Sequence, residues 1–107
     1  MTAMQVEKTH HVDADEPDAD GMLGWRYEYD LYHFRDGLRT LVARSYTDEP
    51  EEAHLLRFEQ DGRFLSVTAR DLKDPFVLGA VRYLRVTGKH NVRYSASGGY
   101  QPVPGSP

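Results

Sequence analysis

The sequence predicts an α+β domain: an antiparallel sheet of four to five strands in β-β-β-β-α-β order, with one helix packed on one face. Three observations carry this. Two Asp-Gly pairs, Asp36-Gly37 and Asp61-Gly62, each lie between apolar-rich runs. Such a pair marks a hairpin, because both central positions of a type I′ turn need φ > 0. One stretch, Asp74 to Gly88, carries helix start and stop signals around an apolar stripe.

The first hairpin, Gly24 to Tyr46, holds the only Trp and four of the seven Tyr. A two-residue turn would set Arg35 opposite Leu38 and His33 opposite Thr40. Side chains alternate along a strand. Trp25, Tyr27, Tyr29 and Leu31 therefore share one face with Val42 and Tyr46, and that face is the expected core. Tyr32, Phe34, Leu41 and Ala43 fall on the other.

Pro50, just after the first hairpin, breaks the ladder. Ala53 to Gln60 reads as a strand, with a short helix begun at Asp48 as the competing reading. In the second hairpin Phe58 would face Leu65 and Leu56 would face Val67. Arg63 to Thr68 is the fourth strand, with Leu65 and Val67 inward.

Asp74 is a good N-cap, and Pro75 suits the first helical position. Phe76, Val77, Ala80, Val81, Tyr83 and Leu84 form the stripe, and Gly88 is placed to stop the helix. Gly79, inside the helix, suggests close approach to the sheet. Asn91 to Ala96 is a further strand, Ser97-Gly98-Gly99 a turn, and Tyr100 to Val103 an edge segment limited by Pro102.

Size and composition bound the rest. The 107 residues suit one domain. Residues 1–22 carry Lys8 against six acids, a sum of −5, and read as a disordered acidic tail. Residues 23–103 form the domain and 104–107 a frayed end. From residue 23 onward the sum is +1, so the body is near neutral. There is no cysteine, which removes disulfide and thiolate chemistry. No apolar run approaches the ~18 residues of a membrane span, and no export signal is evident. A cytoplasmic location and no membrane partner are expected.

No catalytic, cofactor-binding or metal-binding residues are assigned, and no cofactor is expected. His10 and His11 lack partners at metal-site spacing; His33, His54 and His90 lie in separate segments. Glu28 and Asp30 share a strand face about 7 Å apart. Such a pair can split into acid and base, but Arg26 and Arg39 nearby favour an ion-paired face.

The expected use is protein–protein contact, with a second copy as the first partner. The expected interface is the face opposite the core: Tyr32, Phe34, Arg39 and Leu41. Tyr and Arg are enriched at interface centres. One alternative is single-stranded nucleic-acid binding by the same face, where aromatics would stack bases. The missing basic footprint weighs against it. Another is a small-molecule pocket between helix and sheet, with Glu28, Asp30 or His33 as its polar groups.

Overall fold

A computed structural model describes residues 4–14, 26–96 and 99–104. Within them the chain forms β1 (Gln5–Ala14), β2 (Arg26–Arg35), β3 (Thr40–Tyr46), β4 (Glu52–Gln60), β5 (Arg63–Leu65), α1 (Pro75–Val86), β6 (Asn91–Ala96) and β7 (Gly99–Pro102). It is a small α+β domain, mostly strand, with one α-helix. The expected sheet of four to five antiparallel strands is corrected. Seven strands run in the order β1-β2-β3-β4-β6-β7, with β5 also on β4. β4 and β6 are parallel. The reason is the connection: α1 is a helical crossover, which brings the chain back to the end at which β4 began, and parallel neighbours need such a crossover.

Residues 5–14 correct the expected acidic tail. All ten pair with β2. A charge sum over residues 1–22 hides where the acids sit. Residues 5–14 contain neither Gly nor Pro, and five of the six acids lie at or beyond Asp13. β2 offers this stretch an open row of backbone donors and acceptors, and cross-strand pairs such as Lys8–Asp30 (3.7 Å) and Glu7–Arg35 (3.4 Å) match its charges. Residues 15–22, Trp25, Ser97, Gly98 and residues 105–107 lie outside the described residues.

The first Asp-Gly pair does not make a two-residue turn. Arg35 pairs with Thr40, and residues 36–39 form the loop. Asp36 folds back on its own loop, its carboxylate accepting from the Arg39 N–H at 3.1 Å, and only Gly37 takes positive φ (104°). The register is two residues from the expected one. A shift of two preserves the faces, so the partition of side chains stands.

The choice between the faces is reversed. α1 packs on Tyr32, Phe34, Leu41 and Ala43, joined by Ala53, Leu55, Phe58 and Val92. Phe34, Leu41, Ala43, Ala53 and Leu55 are wholly buried. This face combines large apolar groups with two alanines that let a helix come close. Tyr27, Tyr29 and Tyr46 carry hydroxyls that are best left wet, and they line the uncovered face.

The second Asp-Gly pair is a two-residue turn, with positive φ at Asp61 (52°) and Gly62 (75°). Phe58 faces Leu65, as expected. β5 then ends, so Leu56 does not meet Val67. A register shift between Val42 and Ala43 leaves Leu56 as an extra residue in β4. This bulge brings Phe58 to the same side as Ala53 and Leu55.

α1 begins as its signals predict. The Asp74 carboxylate accepts from the Phe76 N–H at 2.9 Å, with Pro75 at the first position. Phe76, Val77, Ala80, Val81 and Leu84 are buried. Gly88 (φ 105°) follows the helix and permits its final turn. Gly79 makes no close approach to the sheet: a Cβ there would meet the Met4 Sδ at 3.9 Å, ordinary contact.

Candidate functional site

Three of the four expected interface residues, Tyr32, Phe34 and Leu41, lie beneath α1 and are 4 %, 0 % and 0 % exposed. No partner can reach them without displacing the helix. The physical reason is the reversal above: the face expected to be open is the one the helix covers. Arg39 stands apart, in the loop before β3. It donates to Asp74 at 2.8 Å and Asp36 at 3.2 Å, and its guanidinium lies over the Phe76 and Phe58 rings. It clasps the hairpin loop to the start of α1. The Arg39 pairing and local N–H donors hold both Asp36 and Asp74 below the ordinary carboxylate range, against a burial effect that is the largest single influence on Asp36.

The uncovered face is the surface the fold leaves available. The pairing registers set its side chains in rows across the strands. One row is aromatic: His11, Tyr29 and Tyr46. His11 stacks on Tyr29 (5.4 Å between centroids), and Tyr46 meets Tyr29 edge-on (5.9 Å). The Tyr29 hydroxyl donates to Asp13 at 2.7 Å, which raises the pKa of the phenol. The next row runs Thr9, Leu31, Arg44, His54, Arg93. Arg44 lies over the Tyr46 ring at 4.7 Å, and His54 stacks on Tyr100 at 4.4 Å. Burial lowers the pKa of His54, so its neutral form is favoured.

Charge on this face is nearly cancelled in place. Arg35 meets Glu7, Arg57 meets Glu59 at 2.9 Å, and Arg93 Nε lies 3.2 Å from Glu52 at an angle outside a hydrogen bond. Arg44 pairs with no described carboxylate. Its Nε, with the Nδ1 atoms of His33 and His54, is buried and has no hydrogen-bond partner among the described residues. The surface therefore offers aromatic area with locally paired charges, not a field of one sign.

Glu28 and Asp30 lie on the α1 side of the sheet, at its edge. His10 sits between them, 2.7 Å from Asp30 by Nδ1 and 3.1 Å from Glu28 by Nε2. A carboxylate at each ring nitrogen favours the imidazolium, and the Asp30 hydrogen bond leads in raising the His10 pKa. Lys8 joins Asp30, and Arg26 meets Glu28 at 3.2 Å. The expected ion-paired surroundings of these carboxylates are present, with His10 and Lys8 in place of Arg39. His33 faces the opposite side of the sheet, so no single pocket can use Glu28, Asp30 and His33 together. A cleft of about 430 Å³ opens elsewhere, beside Arg85, His90 and Val103. Among the described residues no three His, Cys, Asp or Glu side chains are grouped to hold a metal ion, and no helix is long and apolar enough to cross a membrane.

Sequence alone does not bring Thr9, His10 and His11 to the sheet, because they read as tail, nor Arg44, His54 and Arg93 to one another, because they come from three strands. The signal for the first group was the stretch from Gln5 to Val12, free of Gly and Pro. The second group needed the β3–β4–β6 neighbourhood, which no local pattern encodes. No family model, curated protein or solved structure matches this chain.

Proposed function

We propose that this chain is a small non-enzymatic domain acting through protein–protein contact, self-association first. One observation carries the reading: α1 covers one face of the sheet, and among the described residues the other stays open with Tyr27, Tyr29, Tyr46, Arg44 and Tyr100 across it. Tyr and Arg supply much of the energy at protein interfaces, since each offers large area with a polar end. The near-cancelled charge suits a protein partner better than a polyanion, whose binding depends on many unpaired cations.

Light scattering on a size-exclusion column, across concentration, tests self-association. A mass of two chains is expected. A monomer up to high micromolar concentration would remove the self-association part.

A second reading has its own support. The His11–Tyr29–Tyr46 ladder beside Arg44 resembles a stacking platform for unpaired bases. A titration with a single-stranded oligonucleotide, followed by Tyr fluorescence at low and moderate salt, separates the two. Saturable, salt-sensitive quenching that is lost in Arg44→Ala would favour nucleic acid.

A further inference from the structure

We propose that two copies join edge to edge along β1, as antiparallel strands with Thr9 on the two-fold axis. This rests on the self-association reading and deepens it by naming the contact.

β1 is the long free edge. The strand order begins with it, and no described strand pairs its outer side. The opposite end of the sheet is β7, four residues ending in Pro102. β1 has ten residues, without Pro, Gly or any register shift against β2. Natural edges are blunted by Pro, by bulges and by unpaired charge; β1 has neither of the first two, and its Lys8 and Glu7 are each ion-paired within the chain, to Asp30 and Arg35.

The backbone restricts the register. The Thr47 N–H donates to the Glu28 carbonyl at 2.9 Å, and the Asp36 N–H to the Arg39 carbonyl at 3.3 Å. Even-numbered residues of β2 therefore turn their backbone groups to β3, and odd-numbered ones to β1. The odd residues of β1 answer them, because Gln5 pairs with Arg35 and Thr9 with Leu31. Val6, Lys8, His10 and Val12 are left to point N–H and C=O outward. A second β1 can satisfy them only if even residues meet even residues. That rule puts both helices on the same side of the joined sheet and makes the two uncovered faces continuous.

Side chains then choose among the allowed registers. Centring on Lys8 opposes two ammonium groups, and centring on His10 opposes Glu7 to Asp13. Centring on Thr9 opposes Val6 to Val12 and Glu7 to His11, and sets Thr9 against itself. Val12 is 48 % exposed in the single chain and gains an apolar cover. Lys8 meets the His10 of the other copy above two Glu28–Asp30 pairs, so two lysines and two histidines face four carboxylates. About eight backbone hydrogen bonds would form.

Two variants test this. Lys8→Pro removes an outward N–H that no described strand uses, so the fold should persist by circular dichroism while the mass falls to one chain. Thr9→Cys places one thiol in a chain that has none. Directly opposed positions of this kind lie within disulfide reach. Under mild oxidation Thr9→Cys should give a disulfide-linked dimer at least tenfold faster than Gln5→Cys, which the register holds apart. Equal rates for the two, or a dimer that survives Lys8→Pro, would overturn the edge contact. A dimer lost instead on Arg44→Glu would move self-association to the uncovered face and leave the reading above standing. A wild-type monomer at high micromolar concentration overturns both.

Discussion

The two faces of this sheet use similar residue counts for opposite ends. The covered face has Phe34, Leu41, Leu55 and Phe58, with Ala43 and Ala53 between them. The uncovered face has Tyr29, Tyr46, Leu31 and Val42, with Arg44 and His54 between them. Val42 is wholly buried although no helix lies over it. It is flanked by His33 and Arg57 on the neighbouring strands, whose long side chains shield it. Apolar content alone does not separate the two faces. What separates them is whether each apolar body ends in a group that needs water, and whether small residues leave room for a helix.

The largest test of that difference is a pair of truncations. Phe34→Ala should cost about 3–5 kcal/mol in urea unfolding, since it empties a closed site. Tyr29→Ala should cost no more than about 1 kcal/mol, since its ring stands at a solvated surface. Comparable losses would erase the distinction between the faces. Next is the clasp that fixes the helix over its face. Arg39→Ala should cost about 2 kcal/mol through two charge-assisted hydrogen bonds, and Arg39→Lys should recover only part of it.

The clasp also has a pH signature. Asp36 and Asp74 are held below their ordinary range. Their contribution is therefore full above the ordinary Asp value and is lost as pH falls through the lowered values. Arg39→Ala should flatten the acid limb of a stability–pH curve. Gly79→Ala is a smaller change in the other direction. The helix interior favours Ala by about 1 kcal/mol, and the added Cβ meets only Met4, so a gain in melting temperature is expected.

The smallest effect contrasts two histidines. NMR titration should find His10 above the ordinary histidine value, with Asp30→Asn bringing it down. His10 helps hold β1 fully below that ordinary value, and the help is lost as pH rises through the raised one. His54, lowered by burial, behaves oppositely: its contribution is full above the ordinary value and declines as pH falls. A shared direction for the two would contradict the placement of His10 between carboxylates.

The two Asp-Gly pairs show how far local chemistry reaches. At Asp61-Gly62 the flanking strands meet at once, and the turn that two such residues favour is the turn that forms. At Asp36-Gly37 the following Leu38 and Arg39 are drawn into the loop. Asp36 caps the loop's N–H groups, and Arg39 is held by Asp74, a residue 35 positions away. A long-range ion pair thus helps decide a turn whose sequence resembles the other one. The same limit applies to Tyr32, Phe34 and Leu41, placed correctly on one face and assigned the wrong exposure.

The sequence by itself determined the helix from Pro75 to Val86, its cap at Asp74, the turn of the second hairpin, and the sorting of the first hairpin's side chains onto two faces. These follow from capping, turn chemistry and strand alternation, all of which act within a few residues. Only the tertiary structure decided that β1 joins the sheet, that β6 runs parallel to β4, and which face α1 covers. Those outcomes depend on which edge is free, which way a crossover returns, and which of two apolar faces fits a helix more closely. They are settled by energies between segments far apart in the chain.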